Sequence, residues 1–401
     1  MQKLVLLQEQ LVTLNKGFQA AFGSAPARYF SAPGRTEIGG NHTDHQHGRV
    51  LAAAVNLDTR AAVRENGTQY IRILSQGYPL VQIQLEDLSP RAEETNTTPA
   101  LIRGIANRFV EMGYPVAGFD AYVESTVLPG SGLSSSAAFE VLIGTIINHL
   151  FCSGAVSQPQ IAAIGQYAEN VFFGKPSGLM DQMASAVGGM VYIDFADQKN
   201  PVIQPVDFDF AACGHGLCII DSGADHADLT DEYAAIPMEL RAICSHFGKD
   251  VLRQVDPADF YEALPVLRQK HTDRAVLRAI HIYEENERVS QQLAALQAGD
   301  FNAFLSLVRE SGASSYMYLQ NVIPAGSTAH QEMAVALALC QHYLQGRGAY
   351  RVHGGGFAGT VQAFVPLDIL DSFRSGIDRM LGAGACHVLS IRPLGGMEAT
   401  P

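Results

Sequence analysis

Hydrophobic positions recur along the chain with two spacings, and these spacings divide it into predicted helices and strands. Over residues 4–22, leucines and phenylalanines step by three or four positions, which predicts an amphipathic helix. Further helices are predicted over 100–112, 139–150, 160–173, 232–246, 258–297, 329–344 and 367–381. Strands are predicted over 50–66, 70–74, 80–85, 119–127, 190–195 and 217–221, and a strand–turn–strand over 351–366. Because strands and helices interleave without regular βαβ spacing, an α+β fold is predicted.

The chain has 401 residues, which is long enough to predict two domains. A polar stretch with two prolines, residues 196–205, is the best candidate for the boundary. We therefore expect an N-terminal domain over 1–198 and a C-terminal domain over 199–401.

Composition and charge exclude several classes of protein. The formal net charge is -13, from 27 basic and 40 acidic residues, which argues against a nucleic-acid partner. An anionic substrate would need a local positive site against this field. The sequence shows no signal peptide and no apolar run near the roughly 18 residues of a membrane span. Six scattered cysteines without CxxC pairs predict buried, reduced thiols and a cytoplasmic location.

A glycine- and serine-rich segment, Gly130 to Ala138, lies between a predicted strand and a predicted helix. Glycines let the backbone approach a ligand closely, and a helix start directs unpaired N–H groups and a positive dipole at an anion. The alternative is a strand-to-helix turn with a serine N-cap, but three consecutive serines exceed what one cap needs. The sequence GxxxxGK[ST] is absent, and Gly174-Lys175 is followed by proline, so this is not a Walker A loop.

A second glycine-rich segment, Gly354 to Gly359, matches GxGxxG, but its context rules out two common interpretations. A dinucleotide-binding fingerprint should open a helix, whereas a strand follows here. Only about forty residues remain after it, and the protein-kinase HRD and DFG segments are absent. A glycine hairpin is therefore predicted, either a plain tight turn or part of an active site.

A polar segment, Ala32 to His45, collects arginine, glutamate, asparagine, histidine and aspartate, and it is expected to stay out of the core and to suit a polyhydroxylated ligand. The spacing of its histidines fits no standard zinc motif. Farther along, Glu169 and Asp181 are candidates for the two carboxylates of a phosphoryl-transfer site, one on Mg²⁺ and one near the attacking hydroxyl. In isolation, each of them would more often be a surface carboxylate.

Taken together, four segments in order resemble the GHMP kinase superfamily, and the galactokinases within it. Ala32 to Asp44 looks like the galactokinase signature, and Gly130 to Ala138 is similar to the family's phosphate loop. Ala168 through Gln182 resembles the AEH…GxMDQ segment, and His353 to Gly359 the third motif. The resemblance implies an N-terminal domain with a left-handed βαβ unit, a ferredoxin-like C-terminal domain, and ATP and sugar in the cleft between them.

The resemblance also implies a role for each residue that a motif matches. Asp181 matches the catalytic aspartate and Arg35 the arginine beside it, which keeps that aspartate ionised. The implied sugar contacts are Arg35, Glu37, Asn41, His42, Asp44, Gly178, Asp181 and Tyr233. The implied ATP-binding residues are Gly130, Ser131, Gly132, Leu133, Ser134, Ser135, Ser136 and Ala137. Ser136 and Glu169 match the Mg²⁺ ligands. The expected partners are a small sugar and ATP, with no nucleic acid or membrane, in a monomer or weak homo-oligomer.

The chain departs from the family pattern within the polar segment, Ala32 to His45, and after Tyr233. Asn41 replaces a glutamate and Glu37 an asparagine, and the residues after Tyr233 do not follow the usual Tyr-Asn-x-Arg-Arg. ATP-dependent phosphorylation of galactose at its anomeric hydroxyl is the leading prediction. A kinase for arabinose, galacturonate or N-acetylgalactosamine is the alternative enzyme, because the charge of the glutamate is lost at Asn41. A non-catalytic sugar sensor is the alternative outside the enzymes.

Overall fold

A computed structural model describes residues 4–127, 132–175, 177–224 and 229–401. The helices in these ranges are α1 (Gln8–Phe22), α2 (Thr98–Glu111), α3 (Ser135–Phe151), α4 (Gln158–Tyr167), α5 (Met180–Val187), α6 (Thr230–His246), α7 (Pro257–Lys270), α8 (Asp273–Gln297), α9 (Phe301–Ser314), α10 (Glu332–Leu344) and α11 (Leu370–Leu381). The strands are β1 (Leu4–Val5), β2 (Arg28–Gly39), β3 (Arg49–Glu65), β4 (Tyr70–Ser75), β5 (Val81–Gln84), β6 (Phe119–Ser125), β7 (Met190–Asp194), β8 (Val202–Val206), β9 (His215–Asp221), β10 (Ala349–His353), β11 (Thr360–Pro366), β12 (Cys386–Leu389) and β13 (Met397–Thr400). The predicted α+β class is confirmed.

The larger sheet contains nine of the described strands. Seven follow the order β1-β13-β2-β3-β6-β4-β5, while β7 pairs with the first residues of β3, and β8 pairs with β7. The pairs β1–β13 and β4–β6 are parallel, and the other pairs are antiparallel. Strands β8 and β13 belong to this sheet although both follow residue 198 in the chain. The boundary at 198/199 stays a prediction.

The smaller sheet is antiparallel, in the order β10-β11-β9-β12. Helices α10 and α11 pack on one of its faces through a core that includes Cys340 and Phe373. A separate core joins the two sheets, with Ile38 and Val55 from the larger one and Ile219 and Phe364 from the smaller one. This shared core holds β2 against β10 and β11, so motifs far apart in sequence meet along one cleft.

The polar segment was predicted to stay out of the core, and this prediction was wrong. Its first half is strand β2, and residues 30–41 are buried. The strand tolerates burial because its polar groups pair with groups from the smaller sheet. Gln362 Nε2 donates to Thr36 Oγ1 at 2.8 Å, and the guanidinium of Arg351 donates to the Glu37 carboxylate. Pairs of this kind cannot be predicted from the pattern of hydrophobic and polar positions along the sequence.

Several other elements differ from the prediction. Leu4 lies in β1 and not in the first helix, which begins at Gln8. The predicted helix over 160–173 is α4 followed by a π-helical turn, Ala168–Phe173. Helix α9 and strands β12 and β13 had no predicted counterpart. None of the helices in the described part of the chain combines the length and the apolar character that a membrane crossing requires.

Candidate active site

Arg35 and Asp181 form the ion pair at the centre of the cleft. Arg35 lies in β2 and is 5% exposed, and Asp181 lies in the first turn of α5. Arg35 Nε donates to Asp181 Oδ1 at 2.6 Å, and its Nη1 donates to the carbonyl of Gly132. The side chain of Asp181 keeps 32% of its surface exposed, so the carboxylate faces the cleft while the guanidinium behind it is buried. The sequence prediction that these two residues are neighbours is confirmed by this geometry.

The environment of Asp181 keeps its carboxylate charged. Burial alone would raise the pKa of Asp181, but the charge and hydrogen bond of Arg35 and the hydrogen bond of Ser134 outweigh it. The pKa therefore lies below its ordinary value, and Asp181 is an acceptor at neutral pH.

Ser134 couples this carboxylate to the start of α3. It lies at the N-cap position with φ of 54°, in the left-handed region that residues other than glycine rarely adopt. Its hydroxyl donates to Asp181 Oδ2, and within the described residues it makes no capping bond to its own helix. The first N–H groups of α3 are thereby left for another acceptor, as expected of an anion site. The alternative of a plain serine cap is not what the structure shows.

Asp44 and Gly178 bring two further predicted residues to the same place. A Cβ added at Gly178 would overlap Asp44 Oδ2, so the glycine is needed for this close approach. The Asp44 carboxylate also lies near enough to Arg35 for its charge to affect the pKa of that guanidinium. Contacts and charges thus connect Asp44, Gly178, Arg35 and Asp181 in one place.

A cavity of about 920 Å³ opens beside the start of α3. Ser135, Ser136 and Glu169 line it on one side. The β4–β5 turn and the start of α2 form further walls, and Tyr78, Leu80, Leu101, Phe139 and Phe173 are among the large apolar residues of the lining. An apolar chamber that ends at serine hydroxyls and a helix N-terminus has the shape and chemistry to hold a nucleotide.

Of the residues predicted to bind ATP, the structure places only some on this cavity. Ser135 and Ser136 line it, whereas Leu133 and Ala137 are buried in the protein core. Gly132 and Ser134 lie on the Arg35 and Asp181 side. Gly130 and Ser131 lie outside the described residues.

Glu169 is buried in the π-helical turn, and its two oxygens have different partners. Oε2 accepts from Gln182 Nε2 at 2.9 Å, and Oε1 lies 3.1 Å from Lys175 Nζ. Among the described residues, no three His, Cys, Asp or Glu side chains group into a metal site. Mg²⁺ in nucleotide sites is commonly held by one or two carboxylates together with phosphates. Glu169 and Ser136 face the same cavity and fit that donor set.

His353 belongs to the architecture of the cleft. His353 Nε2 accepts from the Glu37 N–H at 3.2 Å, so its proton is on Nδ1 and is donated to Thr360 Oγ1 at 2.9 Å. Burial, with the charges of Arg35 and Arg351 nearby, holds the pKa of His353 well below its ordinary value. This neutral imidazole ties β2 to the ends of β10 and β11.

The Gly354–Gly359 turn is the predicted hairpin between β10 and β11, and it lies over the polar segment. His42 Nε2 donates to Gly355 O at 3.0 Å, and Tyr233 Oη donates to Gly356 O at 2.8 Å. Burial, followed by the charge of His45, lowers the pKa of His42 to about 3, so the ring is neutral. Ala358 in this turn lies outside the left-handed region, so its side chain introduces no backbone strain there.

Asn41 and Glu37 are not at the surface of the cleft. Asn41 is 0% exposed, and its Nδ2 donates to Gly354 O at 2.6 Å and to Glu37 Oε1 at 3.1 Å. Its Oδ1 accepts from Asn321 Nδ2 at 2.9 Å. Glu37 is 3% exposed and is paired with Arg351. Asn41 therefore links Glu37 of β2 to the glycine turn, and Glu37 pairs with Arg351 of β10. Contact of either residue with a sugar stays a prediction.

Sequence reasoning missed two charged residues of this region. Lys175 was considered only to exclude a Walker loop, although a lysine between two candidate carboxylates in sequence was a usable signal. Glu285 of α8 accepts from the Gly40 N–H at 3.0 Å and from Ser311 Oγ at 2.7 Å. These hydrogen bonds hold the polar segment against α8 and α9. Nothing in the local sequence around Glu285 indicates that contact.

Comparisons with known proteins define the class first. The GHMP kinases N terminal domain model matches residues 100–189. A crystal structure of mevalonate kinase has a TM-score of 0.65 at 13% identity and covers 91% of this chain and 99% of its own. Lactococcus lactis galactokinase complexed with galactose has a TM-score of 0.83 at 23% identity and covers 97% of this chain and 99% of its own. The protein has the fold of a GHMP kinase.

Sequence similarity then defines the family. The galactokinase galactose-binding signature matches residues 16–65. Galactokinase from Streptomyces coelicolor is 31% identical over 92% of this chain and 93% of that protein. Galactokinase from Actinobacillus pleuropneumoniae serotype 3 is 32% identical over 91% and 92% respectively. The chain belongs to the galactokinase family, and it is a sugar kinase.

Proposed function

We propose that this protein transfers the terminal phosphoryl group of ATP to the anomeric hydroxyl of galactose. The observation that carries the proposal is the ionised Asp181, held by Arg35 and Ser134, next to a nucleotide-sized cavity. The full-length similarity to galactokinases supports galactose over the other sugars considered. An intact serine-rich helix start and the Arg35–Asp181 pair argue against a non-catalytic sensor.

The geometry suggests how the chain's own residues act. Asp181 would accept the hydrogen bond of the sugar hydroxyl and orient its oxygen toward the cavity, since its other neighbours, Arg35 and Ser134, are donors. Arg35 would offset the charge that develops on the transferred phosphoryl group. Asp44 and the backbone at Gly178 would position the ring hydroxyls. His42 and Tyr233 would act by fixing the glycine turn above the sugar.

We further propose that Mg²⁺ binds with the nucleotide at Ser136 and Glu169, where it would neutralise phosphate charge. The division into domains 1–198 and 199–401 would place most of these groups in the first domain and the covering turn in the second. A cytoplasmic location and a monomeric or weakly associated state also remain proposals drawn from the sequence.

Replacing Asp181 with asparagine tests the assigned chemistry. Asp181→Asn keeps the shape of the side chain but removes the acceptor charge, and we expect kcat to fall about a hundred- to ten-thousandfold. ADP release with galactose and ³¹P NMR of the product measure the rate and the phosphorylated position. The exposed Asp259→Asn is the matched control and should behave like the wild type.

The pH profile adds a second readout to this test. Because the pKa of Asp181 lies below the ordinary value of about 3.9, its protonation should produce no loss of activity above roughly pH 5. A wild-type rate in Asp181→Asn would remove Asp181 from the mechanism. Wild-type enzyme that releases ADP with another sugar but not with galactose would overturn the substrate.

A further inference from the structure

Lys175 forms an ion pair with Glu169, which lines the nucleotide cavity. Its Nζ is 3.1 Å from Glu169 Oε1, and 59% of the lysine side chain is exposed whereas the glutamate is 5% exposed. Its charge also reaches Asp181, whose pKa it helps to lower. Lys175 is thus an accessible cation at the point where the phosphates of a nucleotide would extend from the cavity toward Asp181.

The cavity itself offers little positive charge to a polyanion. The described residues that line it include Glu94 and Glu169 but neither lysine nor arginine. Arg35 is already committed to Asp181 and to the carbonyl of Gly132. Since the chain as a whole carries a formal charge of -13, a triphosphate requires a local cation to offset repulsion.

A divalent ion at Glu169 would compete with the Lys175 ammonium for Oε1. Oε2 is held by Gln182 Nε2 at 2.9 Å, so Oε1, the oxygen bonded to Lys175, is the one left for a divalent ion. A metal ion bound at Oε1 would displace the ammonium. The backbone N–H groups of Gly174 and Lys175 donate to Glu169 O at 3.0 and 3.1 Å, so the main chain stays anchored while the four-carbon stem reorients.

We propose that Lys175 is a phosphate-binding residue of the kinase reaction, which exchanges Glu169 Oε1 for a terminal phosphate oxygen of ATP when a divalent cation binds the carboxylate. The inference rests on the proposed kinase function and adds to it a cation that the family motifs do not supply. It predicts opposite effects of one substitution on two ligands. Loss of the ammonium frees Glu169 for a metal but removes a contact to the nucleotide tail.

Lys175→Met tests this with binding measurements on the full chain. Isothermal titration calorimetry should show affinity for MgATP falling about ten- to a hundredfold, the range for a charged hydrogen bond, with AMP affinity unchanged. Mn²⁺ titrated alone and followed by electron paramagnetic resonance should bind several-fold more tightly than to the wild type. Lys175→Arg should keep MgATP affinity within a few-fold, and the exposed Lys270→Met is the matched control.

The outcomes separate the proposal from its alternatives. Unchanged MgATP affinity in Lys175→Met would overturn it. Weaker binding of both Mn²⁺ and MgATP would also overturn it, because Lys175 would then merely support Glu169. These titrations need no sugar, so an enzyme that fails to phosphorylate galactose but discriminates ATP from AMP through Lys175 would refute the proposed substrate alone. Circular dichroism and melting curves check that the variants are folded.

Discussion

Asn41→Glu restores the residue that the galactokinase signature normally carries, and the structure predicts that the change destabilises this chain. The Asn41 side chain is wholly buried and donates two hydrogen bonds, to Glu37 Oε1 and to Gly354 O. An ionised glutamate can donate neither of them. It would also place a second carboxylate about 3 Å from that of Glu37.

The size of the loss follows from three effects. The Gly354 carbonyl left without its donor costs about 1–3 kcal/mol. One added methylene in a filled site costs about 1–3 kcal/mol. Repulsion between two carboxylates at 3 Å is on the order of 5 kcal/mol at an effective dielectric constant of 20. The new carboxyl would therefore take up a proton, which removes most of this repulsion. We therefore expect the free energy of unfolding to fall by about 3–6 kcal/mol at neutral pH.

Denaturation by urea, followed by far-ultraviolet circular dichroism, measures this loss, since the chain has no tryptophan to report on unfolding. A carboxyl whose pKa is raised in the folded state is least unfavourable below its unfolded pKa, about 4.3, so the deficit relative to wild type should grow between pH 5 and pH 8. The exposed Asn302→Glu on α9 controls for the added charge and should change stability by less than about 0.5 kcal/mol.

One result would refute this reasoning. If Asn41→Glu were as stable as wild type and shifted the preference among galactose, arabinose and galacturonate, Asn41 would have to face the sugar. The role of Asn41 as a link between Glu37 of β2 and the glycine turn would then be wrong.

Two further substitutions probe the sugar pocket from opposite sides. Gly178→Ala should displace the Asp44 carboxylate, because its Cβ would overlap Oδ2, and raise the KM for galactose about tenfold or more with little change in the KM for ATP; equal effects on both substrates would contradict this. Glu285→Gln should lower the free energy of unfolding by about 3 kcal/mol, because the buried guanidinium of Arg288 loses its closest carboxylate partner and the only fully buried one among the described residues. Thermal melts measure this, and an unchanged melting temperature would exclude the anchoring role.

The elements that the sequence predicted well are those whose apolar residues repeat locally. Strand β3 and helices α2 and α3 were expected within a few residues of their observed bounds. Strand β2 was misjudged because its buried polar groups pair with partners such as Arg351, which lies 314 positions from Glu37. Strands β12 and β13 have four residues each and are defined by pairing with distant strands, so no local pattern marks them.

The residues of the candidate site also divide into those that the sequence could predict and those that it could not. Family motifs and their order led to Arg35, Asp44, Gly178 and Asp181, and the structure brings these four together. The orientation of Asn41 was not accessible, because a motif gives the type of residue and not the direction of its side chain. That direction is set by Asn321 and by the glycine turn, both of which come from the other half of the chain.

Strand β13 gives the assembly of this protein a particular order. It lies between β1 and β2 in the larger sheet, and the Arg28–Glu398 ion pair beside it joins positions 370 residues apart. During synthesis, one edge of β2 therefore has no partner strand until residues 397–400 have been made. An unpaired strand edge can form hydrogen bonds with another chain and so promote aggregation. Removal of these few residues should accordingly lower the yield of soluble protein during refolding, although they lie far in sequence from every catalytic group.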